Sequence, residues 1–193
     1  LRGARHVPAD TLEQRVSAAL RELRAGTPVV YLYWSEIDHS GHSHGVASDA
    51  WIGQVEQFDA GLSALLRGLP GGVRTVLTAD HGMINVERDS IVDVAATPAL
   101  REGVRIVAGE TRAAHVHAQE GRAEEVEARW REALGESAWI LSRSQMPALI
   151  GDGSGASIIG DLLVLSRGRG GVVDSRTQSA SAIAMPGIHG SMT

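Results

Sequence analysis

The chain has 193 residues, 43% hydrophobic and 21% charged, which suits a soluble globular protein with one core, or one core carrying a small insert. Its 18 basic residues, all arginine, against 23 acidic ones leave a net charge of −5, which argues against a broad nucleic-acid-binding surface. With no cysteine there is no disulfide frame and no thiolate metal site, and no apolar run approaches the roughly 18 residues of a bilayer span.

In chain order, "PADTLEQRVSAALRELRAG" predicts a helix, with Asp10 and Glu13 spaced as in a capping box and Leu12, Val16, Ala19, Leu20 and Leu23 on one apolar face. Gly26 is its expected stop. The run "TPVVYLYW" (27–34) predicts a strand buried on both faces of a parallel sheet. A histidine-rich polar stretch follows, and residues 48–68 then carry Trp51, Val55, Phe58, Leu62, Leu65 and Leu66 at helical spacing. "VRTVLT" (73–78) is a second expected strand, running into "ADHGM". Helix, strand, helix and strand in alternation imply right-handed crossovers and an α/β fold built on a parallel sheet.

The middle of the chain has another pattern. "GVRIVAG", "RAAHVHA" and "SAWIL" predict strands and "EGRAEEVEARWREALG" an amphipathic helix, together a compact α+β insert over residues 101–150. "IGDGSGAS" reads as a loop, followed by the apolar "IIGDLLVLS" and, past "RGRGG", by "VVDS". The expected organisation is therefore a first part of a metal-binding core at 1–100, the insert, and a return to the core at 151–193.

Three polar groups follow β-prone or apolar stretches. Asp38 and His42 stand in "IDHSGHSHG", Asp80 and His81 in "TADHGM", and His189 in "AIAMPGIHG". In an open parallel sheet, ligands bind beyond the carboxyl ends of the strands, so these groups are expected to converge. A carboxylate-and-imidazole set suits Zn²⁺, Mn²⁺ or Fe²⁺. Asp38, His42 and His189 around one ion leave a position open for substrate or water. Asp80 and His81 are neighbours, so both can point inward only from a turn, and a second ion close by could clamp the oxygens of a phosphoryl transfer. The other histidines have blander readings. His39 and His44 belong to the mouth of the polar stretch, His115 and His117 to one face of a strand, and His6 to the surface; Glu36 is a candidate to orient a histidine.

Taken together, "IDHSGHSHG", "TADHGM" and "GIHGSMT" resemble the type I phosphodiesterase/nucleotide pyrophosphatase family of the alkaline phosphatase superfamily, and bacterial members in particular. The resemblance implies a three-layer, mainly parallel α/β fold and two divalent ions, zinc by preference. It assigns Asp38, His42 and His189 to one ion and Asp80 and His81 to the other. The implied reaction is hydrolysis of a small-molecule phosphodiester or nucleotide by a threonine nucleophile. No strand ending in aspartate and followed by that threonine precedes "TPVVYLYW", and Thr11 does not fill the role. The chain is accordingly expected to be a piece of a longer enzyme, poorly active alone, in which the lack of a signal peptide says little about compartment. Phosphomutases and phosphonoacetate hydrolases of the same superfamily are alternatives, as is a non-catalytic metal-binding module.

Overall fold

The computed structural model describes residues 3–151, 153, 155 and 158–192. The loop expected at 150–157 falls partly outside that set. Two compact units make up the chain, Leu1–Asp80 and His81–Thr193.

The first unit is helical. Helix α1 (Leu12–Arg24) starts one residue later than the Asp10–Glu13 pair suggests. The capping box is Thr11 with Gln14: Thr11 Oγ accepts from Gln14 N–H at 3.3 Å, and the Gln14 side chain accepts from Thr11 N–H at 3.3 Å. The expected face of α1 buries Leu12, Val16 and Ala19, with Ala18 beside them. Helix α2 (Glu36–His44) and helix α3 (Asp49–Gly68) follow, the latter capped by Ser48 Oγ on Trp51 N–H. Helices α1 and α3 pack closely because α3 is small at the crossing. A Cβ on Gly61 would stand 2.4 Å from Leu12 Cδ2, so any larger residue there would make the leucine shift.

The two β-prone runs of this unit form no strand. Residues 27–34 and 73–78 make no ladder, and Val29 (80% exposed), Tyr31 (76%) and Val76 (81%) face solvent. The parallel sheet expected from their alternation with helices is therefore not what the described residues of this unit show. The physical reason is that a strand exists only when a neighbouring strand takes up its N–H and C=O groups in a ladder, and no described segment of this unit forms one.

The second unit is mixed. Strands β1 (Ile84–Asn85) and β2 (Ile91–Asp93) lead through the short helix α4 (Pro98–Arg101) to β3 (Val104–Glu110) and β4 (Ala113–Ala118). Helix α5 (Ala123–Leu134), strand β5 (Ala138–Ser142), the turn of helix α6 (Pro147–Ile150) and strand β6 (Leu162–Ser166) follow. Strand β7 (Gly171–Val173), helix α7 (Ala180–Ile183) and strand β8 (Gly187–Ile188) end the unit. The main sheet has the order β3-β4-β6-β5 and is antiparallel throughout. Among the described residues the parallel pairing is β2 with β7, while β1 and β8 pair antiparallel. The two-residue turn Thr111–Arg112 joins β3 directly to β4 and makes that pair an antiparallel hairpin, while the parallel β2–β7 pair stands outside this sheet.

The elements read from 101–150 form as expected, and β6 lies between β4 and β5 in the same sheet. Val126, Trp130 and Leu134 recur every fourth residue of α5 and are buried against Leu100, Val116, Ile140 and Val164. The Trp130 indole, 0% exposed, donates from Nε1 to Leu100 O at 3.0 Å, so its one polar atom is satisfied inside the core. The opposite face of the sheet holds a smaller cluster of Met146, Leu163 and Leu165. With apolar side chains on both faces, β6 is buried along its whole length. Among the described residues no helix is long and apolar enough to cross a membrane.

Candidate functional site

In the first unit, Asp38 and His42 are not in a loop after a strand. They lie on α2, where a separation of four residues stacks them on one face. His42 Nε2 is 3.5 Å from Asp38 Oδ1, and both side chains are half-buried. His39 and His44 are exposed. Glu36 opens the helix, where a carboxylate complements the positive end of the dipole. The approach to α2 is tied down by α1. Arg15 donates from Nη1 to Tyr33 O at 2.8 Å, and its guanidinium lies 5.0 Å from the Trp34 ring centroid, a cation–π contact. Helix α2 in turn packs on α3. Asp80 sits at a bend and is exposed, in keeping with the turn expected there; it is the last residue of this unit.

In the second unit, the β1–β8 ladder brings together two histidines far apart in sequence. Ile84 pairs with Ile188 and Asn85 with Gly187, while Val86 N–H donates to Pro186 O at 2.9 Å. His81 lies just before β1 and His189 just after β8, at the same end of the ladder. Their rings stack, with centroids 3.7 Å apart and planes inclined by 22°. His81 Nδ1 lies 3.1 Å from Gly82 O. A carbonyl only accepts, so Nδ1 is the donor in this contact, an arrangement common in metal-ligating imidazoles.

The first unit thus pairs Asp38 with His42, and the second pairs His81 with His189. Carboxylate oxygens and imidazole nitrogens are the donor types a borderline divalent ion takes in a chain without thiolates. His115 and His117 alternate along β4 on the sheet face opposite Ala114 and Val116, as the strand-face reading has it. Burial pushes the His115 imidazole pKa below its ordinary value, and His117 nearby adds to the effect.

Two groups escape a reading of the sequence alone. Asp174, fully buried, accepts from Arg176 Nε at 2.8 Å and Nη2 at 2.6 Å. These bonds hold its carboxyl below the usual carboxylate range, outweighing the upward push of burial. The signal was the "VDSR" stretch, where an acid and an arginine stand two apart at the end of an apolar run. The other is Arg112, buried at the β3–β4 turn, for which the sequence offers no signal.

The sequence profile of the type I phosphodiesterase / nucleotide pyrophosphatase family matches residues 5–192. Among solved structures, human ectonucleotide pyrophosphatase/phosphodiesterase 5 is similar with a TM-score of 0.76 at 17% identity, over 98% of this chain and 50% of its own. The murine counterpart gives 0.72 at 18% identity, over 96% and 50%. Phosphonoacetate hydrolase from Sinorhizobium meliloti 1021, solved with phosphonoacetate, gives 0.69 at 21% identity, over 94% and 47%. The chain therefore spans about half the length of these proteins, and at such identities the likeness is one of fold alone. No curated protein sequence matches it. Because the family profile runs over nearly the whole sequence and takes in all three candidate ligand motifs, the chain belongs to the type I phosphodiesterase/nucleotide pyrophosphatase family.

Proposed function

We propose that these residues serve a metal-dependent hydrolase of phosphodiester or pyrophosphate bonds that works by two-metal phosphoryl transfer. The observation that carries the reading is the family match over residues 5–192, which contains "IDHSGHSHG", "TADHGM" and "GIHGSMT" in that order. In this reading Asp38, His42 and His189 hold one ion, and Asp80 and His81 hold the second. Zinc is the ion preferred, since its ligands are commonly imidazole nitrogen and carboxylate oxygen. Bound ions supply Lewis-acid stabilisation of the charge that builds on the phosphoryl oxygens.

The chain's own part is to present donors in the right state. Helix α2 offers a carboxylate and an imidazole from one face, already within 3.5 Å of each other. The closeness of His81 Nδ1 to Gly82 O, at 3.1 Å, supports ligation by that ring through Nε2. No residue of this chain is assigned as the nucleophilic threonine. For the whole protein we propose a three-layer, mainly parallel sheet; the likeness in fold to the solved relatives supports it.

The substrate proposed is a small phosphodiester or nucleotide. An inactive variant of the murine relative was solved in complex with AMP. A second reading, hydrolysis of a phosphonate, is favoured by the likeness to the Sinorhizobium meliloti enzyme, also solved with phosphonoformate. The test is turnover of bis(p-nitrophenyl) phosphate and of phosphonoacetate by the whole protein with added zinc, after EDTA, and as the His189→Ala and Asp80→Asn variants. Diester hydrolysis that falls by about 100-fold or more with EDTA and in both variants is expected. Turnover that survives chelation overturns the metal role. Cleavage of phosphonoacetate alone transfers the assignment to the second reading, and a zinc-dependent rise in Tm without any turnover assigns the ions to structure.

A further inference from the structure

Arg112 occupies the turn between β3 and β4 and is 2% exposed. No carboxylate pairs with it among the described residues. Its guanidinium is held by main-chain oxygens instead: Nη1 donates to Gly168 O and Gly170 O at 2.8 Å each, and Nη2 to Ser166 O at 3.1 Å. A buried cation is tolerated only when its donors are satisfied in this way. The Ser166 N–H also donates to Arg112 O at 2.9 Å, so the two residues are joined in both directions.

The Ser166 carbonyl takes a second donor. Ser191 Oγ donates to it at 2.7 Å, using the acceptor's other lone pair. Ser191 stands two residues after His189. Between them Gly190 has φ +113°, and a Cβ there would lie 3.2 Å from Glu110 Cβ and 3.3 Å from Ala113 Cβ, the pair that closes the same hairpin. His189 is thus bracketed, by the β1–β8 ladder on one side and the β3–β4 turn on the other.

We propose that Arg112 is a positioning residue for His189, acting through the Ser166 carbonyl and Ser191 to keep the imidazole stacked on His81. The charged donor fixes the carbonyl from one side and so sets where Ser191 must bind. The positioning stands on contacts alone; only its functional meaning rests on the metal-ligand role proposed for His189.

The experiment uses metal-free protein and two variants, Arg112→Met and Ser191→Ala. Nuclear Overhauser contacts between the His81 and His189 ring protons are expected in the wild type and are lost in both variants, while the His117 ring signals stay in place in Ser191→Ala. Should Arg112→Met fail to fold, Ser191→Ala and Gly190→Ala carry the test, the second by pushing the segment off the hairpin. Zinc affinity, read by competition with a chromophoric chelator, is expected to weaken about 10-fold in each variant. The double variant Arg112→Met/Ser191→Ala should lose no more than the worse single one, because both act through one carbonyl. Wild-type ring contacts in Ser191→Ala, or zinc losses that multiply, would overturn the proposal. A wild-type protein that shows the ring contacts and binds no zinc refutes the ligand role and leaves the positioning upheld.

Discussion

The runs at 27–34 and 162–166 are both apolar, yet only the second, the one not expected as a strand, is one. Leu162–Ser166 lies between β4 and β5 with every residue buried, whereas Val29 and Tyr31 are mostly exposed and belong to no ladder. The second run has a neighbour on each edge and a cluster of side chains on each face, and the first has neither among the described residues of its unit. Propensity for a strand is local, whereas its hydrogen bonds and most of its burial are supplied by residues elsewhere in the chain.

That contrast can be broken, and the largest effect lies in the built sheet. Trp130 joins α5 to the face of that sheet, and Trp130→Ala should cost about 3–5 kcal/mol in urea unfolding of the second unit. A cost under about 1 kcal/mol would mean that the cluster around β6 is not the core described here. A middling effect is expected at Asp174, next to β7. Asp174→Asn should cost about 1–2 kcal/mol at neutral pH, since Arg176 is partly solvated. Because the folded carboxyl titrates below its unfolded value of about 3.9, its contribution is complete above that pH and is lost as pH falls through the folded value. The acid limb of the stability curve should therefore be shallower in the variant, and parallel limbs would refute the role given to this ion pair. The smallest effect belongs to the first unit: Val29→Thr and Val76→Thr should each change stability by less than about 0.5 kcal/mol. Amides of 27–34 should exchange rapidly while those of 162–166 are protected, and slow exchange in both would erase the comparison.

Much of the second unit was legible in advance. The fourfold spacing of Val126, Trp130 and Leu134 and the alternation of Ala114 and Val116 with His115 and His117 each specify an element and its inward face. The candidate ligands were legible as residue types at suggestive spacings, but their setting was not. Asp38 and His42 lie one turn apart on a helix rather than in a loop, because a polar nine-residue segment between an anchored Tyr33–Trp34 and the packed α3 has no apolar period to announce it. The start of α1 moved from Asp10 to Thr11 because Thr11 and Gln14 make the reciprocal bonds that Asp10 and Glu13 only imitate in spacing.

By itself, the sequence determined the donor chemistry, the amphipathic helices and the family, since each depends on which residues stand at short, regular separations. Tertiary structure alone decided which β-prone runs became strands, that the main sheet of the second unit is antiparallel, that His81 meets His189, and that Arg112 is buried on backbone carbonyls. Those outcomes depend on partners many residues away, and no local pattern encodes where a partner will be.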